Sequence, residues 1–348
     1  MVQGIEMDTA DKRSSEGIIG LGDEIERIQK ALTDFESGQK LDIAIISEPF
    51  AGRTTLITAT EKMAAHKVTK RSFSSIVKNK EELLSPEQPP RIMIIDNCHF
   101  LYLRTIGGFD LLEDFLKSVV SSNNLFITTW NLYSWNYLDE VLNIGQFFPI
   151  QLKLPKFTPG ELKELILSGY KENEVEFIGD VTAEEKRVIT FVRYPVTLKQ
   201  REKTITIPLF TINFNRLRFR LSRKEEEKKA EDIIFEMINR VSNGNPGVAK
   251  VTWAKSLEYP TIKPSYVWEP SFKIELDYTE SFILYLILSM ESINKEEVVE
   301  ITGEMKVDKI LYRLAQQGLI TVDHGYYKIR PEALNSVVTH LKKSRVIW

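Results

Sequence analysis

The chain has 348 residues, 43% apolar and 27% charged, and 46 Lys+Arg against 49 Asp+Glu leave a net charge of -3. That length holds a large domain and a smaller one around a core that needs no staple, and the composition excludes a disordered polymer and a polycation. Cys98, the single cysteine, excludes a disulfide framework and a cysteine-rich zinc site, and the longest apolar run, 282–288, is far short of a membrane-spanning helix. With a polar N-terminus that lacks a signal-peptide core, the expectation is a cytoplasmic protein with no membrane span.

In chain order, residues 22–35 place Ile25, Ile28, Ala31, Leu32 and Phe35 on one helical face. Leu41–Ile46 reads as a buried strand, followed by a Pro- and Gly-containing turn, 47–52, and a helix from Arg53. Strand, tight turn and helix open a βαβ unit. Ile92–Ile95 and Leu125–Thr129 read as further buried strands with a helix, 109–120, between them. Gln151–Leu154 is expected to be a fourth strand, and Thr158-Pro159-Gly160-Glu161 is a helix start. Doubly buried strands separated by helices imply a mostly parallel α/β sheet, ending near residue 155.

The turn Ser47-Glu48-Pro49-Phe50-Ala51-Gly52-Arg53-Thr54-Thr55 aligns with the phosphate loop G-x-x-x-x-G-K-[ST]. Gly52 and Thr54 match; Ser47 replaces the first glycine and Arg53 the lysine. A loop feeding a helix N-terminus aims N–H groups at an anion, and Thr54 supplies a hydroxyl for Mg²⁺. Arg53 is a planar fork where the motif has a compact point charge. Further on, Ile92-Met93-Ile94-Ile95-Asp96 places a carboxylate at a strand end, where it can hold a Mg²⁺-bound water. The next position, where a catalytic glutamate is usual, is Asn97, which cannot accept a proton. Thr129 and Asn131 stand at the end of the strand that begins at Leu125, where a γ-phosphate sensor is placed or where a plain strand-end turn serves.

With these residues in view, the chain resembles the AAA+/STAND group of P-loop ATPases, especially archaeal-type ATPases with a C-terminal winged helix. Residues 18–25, with Ile19 among them, resemble the segment that packs over the adenine, and 242–249 resemble the lid turn whose proline, here Pro246, contacts the base. The resemblance covers residues 16 to 255 and implies that Ser47, Pro49, Ala51, Gly52, Arg53, Thr54 and Thr55 with Ile19 and Pro246 bind ATP or ADP. It implies Mg²⁺ at Thr54 and Asp96, with Asn97, Thr129 and Asn131 at the catalytic positions. The departures are the missing first glycine, lysine and glutamate, and the lack of an arginine after Pro246. The expected fold is therefore a P-loop NTPase parallel sheet with a helical lid and a C-terminal winged-helix domain.

Residues 195–229 carry ten basic side chains against four acids. Thr204–Phe214 and Arg216–Leu221 read as strands, the second with Arg216, Arg218 and Arg220 on one face. Such a ladder suits phosphates of a nucleic acid or lipid, an acidic protein surface, or plain solvation. Residues 278–348 follow a winged-helix pattern with helices at 280–290, 295–302 and 306–317 and a strand pair turned by Asp323-His324-Gly325. Nine basic and nine acidic residues make this unit neutral, which favours packing or protein contact over a DNA-reading helix.

The expected organisation is a flexible stretch at 1–15, a nucleotide-binding domain at 16–155, a lid at 156–277 with a basic β-hairpin at about 195–223, and the winged helix at 278–348. The leading functional expectation is an ATP-binding regulatory switch with weak or absent hydrolysis, coupling nucleotide state to winged-helix position. Its partner would be a protein or another copy, with nucleic acid reached through 195–229 and the winged helix. The alternatives are a DNA-binding initiator-like ATPase and a pseudo-ATPase scaffold for a protein.

Overall fold

The computed structural model describes residues 18–64, 68–79, 92–180, 189–198, 203–212 and 221–347, with backbone alone for 189–198, 203–212 and 221–228. The first unit runs α1 (Gly22–Glu36), β1 (Ile43–Ser47), α2 (Arg53–Ala64), β2 (Val68–Ser72), β3 (Ile92–Asp96), α3 (Asp110–Ser121), β4 (Leu125–Asn131), α4 (Leu132–Leu142) and β5 (Ile150–Lys153). These strands form one parallel sheet in the order β2-β3-β4-β1-β5. It has five strands where four were expected. The added member, β2, is a half-buried edge strand of sequence VTKRS, whose cationic residues hide the apolar alternation while protecting the edge. Helix α4 was also missed, because the polar segment before it reads as a turn; Asn131 caps it by accepting from the N–H groups of Tyr133 and Ser134.

Strands β1, β3 and β4 are buried from end to end. Their alternation divides the core in two. Ile43, Ile45, Ile92, Ile94, Leu125 and Ile127 join a cluster with Ile28, Leu56, Leu162, Ile234 and Trp253. Ala44, Ile46, Met93, Ile95, Phe126 and Trp130 join the other, which continues without a break into Ile283, Leu284 and Leu288 of the C-terminal unit.

Beyond β5 come α5 (Pro159–Leu167), β6 (Glu176–Phe177), β7 (Ile189–Leu198), β8 (Lys203–Ile212), α6 (Leu221–Ser242), α7 (Pro246–Ser256) and β9 (Thr261–Ile262). Thr158 and Glu161 form the capping box that starts α5. The hairpin lies earlier than expected: β7 pairs antiparallel with β8 from Ile189↔Ile212 to Leu198↔Lys203. Its first strand, ITFVRYPVTL, carries the β-branched and aromatic residues that favour a strand. Leu221, expected to end a strand, begins α6; Arg216, Arg218 and Arg220 lie outside the described residues.

The C-terminal unit is α8 (Tyr278–Met290), β10 (Ile293–Asn294), α9 (Lys295–Thr302), α10 (Val307–Gln316), β11 (Ile320–Asp323), β12 (Tyr326–Ile329) and α11 (Leu334–Lys343). With its small sheet ordered β10-β12-β11, this is a winged-helix arrangement. Ten of the 13 residues of α8 are buried. A helix apolar on every side must pack on more than one partner, and α8 packs on its own unit and on the large sheet's layer.

Candidate functional site

The strand register brings the chemistry to one edge of the sheet. Ser47 lies beside Asn131, and Asp96 beside Ser72, all at C-terminal strand ends, where open α/β sheets place their ligands. Between β1 and α2 the loop holds Phe50 and Gly52 at φ +66° and +99°. Glycine takes such a φ freely and phenylalanine does not. Phe50 is held there by the lid: its carbonyl accepts from the Gly247 N–H at 3.1 Å. A Cβ on Gly247 would stand 2.6 Å from the Phe50 Cβ, so only glycine allows α7 this close. Asn245 reinforces the junction. Its carbonyl oxygen caps α7, while its amide donates to Pro49 O at 2.8 Å.

A cavity of about 410 Å³ lies over this loop. Ile18, Ile19, Leu21, Phe157 and Leu165 form its apolar wall; Ala51, Gly52, Arg53, Thr54 and Thr55 its floor; Pro246, Gly247 and Lys250 its lid side; Asn97 and Glu291 the far end. Of the expected binding residues, Ile19, Ala51, Gly52, Arg53, Thr54, Thr55 and Pro246 are thus together. Ser47 is buried at the end of β1 and lines a smaller recess of about 140 Å³, and Pro49 lines neither. Sequence reasoning misses Lys250, because the resemblance points to the position after Pro246. It lies one helical turn farther on, on the same face of α7 as Pro246, a spacing readable from sequence.

The strand-end residues form a tight polar cluster. Asp96 accepts from Thr129 Oγ1 at 2.6 Å and from Ser72 Oγ at 3.3 Å, and Thr129 Oγ1 accepts from the Asn97 N–H at 2.8 Å. Asn97 stands at φ +64°, a region asparagine tolerates, and its amide donates to Phe73 O at 2.9 Å. That side chain is committed to the backbone. Cys98 is fully buried; burial first, then the Asp96 charge, pushes its thiol up and leaves it inert. Burial likewise raises the Tyr133 phenol, helped by Glu48, whose carboxylate accepts from Tyr133 Oη at 3.1 Å.

The residue that sequence reasoning missed is Glu291. It follows α8 as its C-cap at φ +58°. Its Oε1 accepts from Arg53 Nη2 at 2.5 Å and from Asn131 Nδ2 at 2.8 Å. Burial acts to raise its carboxyl, but the Arg53 charge, then His99 and the hydrogen bonds from Asn131 and Arg53, hold it below the usual carboxylate range. His99, wholly buried with neither ring nitrogen bonded among the described residues, is pushed down to about 3 by burial, against the Glu291 charge and with that of Arg53. Further bonds join the same surfaces. Asn131 Nδ2 donates to Leu288 O at 3.0 Å and Ser134 Oγ to Ser289 O at 2.6 Å, satisfying carbonyls that the end of α8 leaves open. Arg104 donates to Tyr285 Oη at 2.8 Å and lies 3.6 Å from the Tyr137 ring centroid, so it is held inside the molecule.

The cradle fits a nucleotide's phosphates. The first N–H groups of α2 have no backbone acceptor among the described residues, and Arg53 Nη1 is buried without a partner. For Mg²⁺, Thr54 and Asp96 are hard oxygen donors. Among the described residues no group of three or more His, Cys, Asp or Glu could hold a metal, so the ion would depend on ligand oxygens.

The sheet order, the loop–helix junction and the following helical and winged-helix units form a P-loop-type parallel sheet with a helical lid and a C-terminal winged helix, the fold class expected from the sequence. No protein-family model and no curated protein matches the chain. Among solved structures it is similar to RuvB of Thermotoga maritima, a Holliday junction branch migration motor, at 16% identity and a TM-score of 0.44, over 93% of this chain and 95% of that one. It is also similar to the Orc1 protein of Aeropyrum pernix in complex with DNA, at 12% identity and a TM-score of 0.39, over 95% of both chains. At these values the likeness says nothing of chemistry.

Proposed function

We propose that the chain is a nucleotide-binding switch: it takes ATP or ADP with Mg²⁺ in the cavity over the loop 47–55 and couples that occupancy to the position of its winged helix. The carrying observation is the convergence of Arg53 and Asn131 on Glu291, which ties the phosphate loop to the C-terminal unit. Ile19, Phe157 and Pro246 offer the base an apolar wall, and the first turn of α2, Arg53 and Lys250 offer positive charge to the phosphates. Bound Mg²⁺ would supply charge neutralisation between phosphate oxygens.

Hydrolysis is slow or absent on this reading. Asn97 holds the position of the usual base with its amide bonded to Phe73 O, and a general base contributes about 10²–10⁴-fold. A protein partner, another copy included, is favoured over DNA by the pairing already present around the third winged-helix helix. Arg313 pairs with Glu280 at 2.6 Å, and Lys295 with Asp308 at 2.7 Å.

Calorimetric titration with Mg·ADP and Mg·ATP tests the reading. Saturable binding is expected, about tenfold or more weaker in Arg53→Ala, with the dependence on Mg²⁺ lost in Asp96→Ala. Silence toward both nucleotides, with no thermal shift at millimolar concentration, would overturn it in favour of the scaffold reading.

A further inference from the structure

We propose that Glu291 is a resident stand-in for the terminal phosphate of a nucleoside triphosphate, and that it makes the site prefer a diphosphate. The proposal rests on the nucleotide-binding reading above. A single carboxylate oxygen, Glu291 Oε1, receives both Arg53 Nη2 and Asn131 Nδ2. Arg53 stands at the motif's cation position, and Asn131 ends the strand beside β1, paired in register with Ser47. Both donors therefore face the place where a phosphate chain running along the loop would end. Glu291 lines the same cavity as Thr54, Thr55 and Asn97, so it occupies ligand space.

Two further observations mark the position as built. A helix C-cap at φ +58° is ordinarily the place of glycine or asparagine, and a glutamate there needs its side chain to offset the strain. The Arg53 fork is also only half used: Nη2 holds the carboxylate while Nη1 is buried with no partner among the described residues. A phosphate group could occupy both nitrogens, as bidentate arginine recognition prefers.

Two anions cannot share Arg53 Nη2 and Asn131 Nδ2. A ligand ending in a diphosphate leaves the Arg53–Glu291 pair intact. One ending in a triphosphate must expel the carboxylate, because like charges at hydrogen-bond separation repel strongly. Glu291 thus acts as a specificity residue that reads phosphate number.

The test is calorimetric titration of the full chain with Mg·ADP and Mg·ATP, in the wild type, Glu291→Gln and Glu291→Ala. The wild type is expected to bind ADP more tightly. Both variants should raise the ATP-to-ADP affinity ratio by about tenfold or more. Pyrophosphate against tripolyphosphate should repeat the pattern without a base. Should Glu291→Ala fold poorly, Glu291→Gln keeps the size and an acceptor for both donors, and circular dichroism checks each variant. ADP binding with an unchanged ATP-to-ADP ratio in a folded variant would overturn this proposal alone. Silence toward both nucleotides in every protein would overturn it together with the reading beneath it.

Discussion

His99 carries a pH dependence of its own. Its imidazole is neutral in the folded chain, titrating only near 3 against 6.5 for an exposed histidine. Below pH 6.5 the unfolded chain takes up a proton that the folded chain refuses, so stability falls as the pH falls, by up to about 1.4 kcal/mol per unit. Between pH 6.5 and pH 5 the wild type should lose about 2 kcal/mol relative to His99→Leu in urea titrations. Parallel pH profiles of the two proteins would show that His99 is solvated. The Glu291 carboxyl is shifted down, so its contribution is present above the unfolded carboxylate range and disappears only in stronger acid.

At the scale of elements, two junctions hold the site together. Gly247→Ala puts a methyl into the Phe50 backbone and side chain, which α7 can relieve only by backing away from the loop. A loss of about 1–3 kcal/mol in thermal or denaturant unfolding is expected, together with weaker nucleotide binding. A neutral result would mean that the lid is free to retreat. Asn131→Ala removes the cap of α4, a donor to Leu288 O and a partner of Glu291 in one change. Cap loss and an unsatisfied buried carbonyl together predict a cost of about 2–4 kcal/mol, read from urea midpoints. These junctions were half legible. Residues 242–249 read as a lid turn and Asn131 as a polar strand end, but nothing local tells that the Asn245 and Asn131 side chains also reach across to another unit. Helix α4 escapes the sequence for the same reason, since its cap reads as a turn.

For the molecule as a whole, the continuous cluster from Ile46 and Trp130 to Ile283 and Leu288 makes the sheet unit and the winged helix one cooperative body in this conformation. A single unfolding transition is expected, coincident by near-ultraviolet and far-ultraviolet circular dichroism. A chain ending at residue 277 would bare the α8-facing apolar surface and should bind a hydrophobic dye and lose that transition. A truncated chain that unfolds sharply without dye binding would show that the units fold independently. Arg104, enclosed by Tyr137 and Tyr285, belongs to this same seam.

The sequence by itself determined the mostly parallel sheet, the tight turn between β1 and α2, the strand-end Asp96 and the winged-helix pattern. Each is written in residues close along the chain: apolar runs of strand length, glycine where φ must be positive, carboxylate where a strand ends. Edge strand β2 escaped because an edge is polar on purpose, and the hairpin was displaced because an arginine alternation outweighed the β-branched run before it. Only the tertiary structure decided what Arg53 touches. Its partner lies 238 positions away, and a single contact between distant residues has no period, composition or spacing to announce it. The loop could be read for its likeness to a phosphate loop, but folding alone brought the Glu291 carboxylate onto Arg53 in the cavity over that loop.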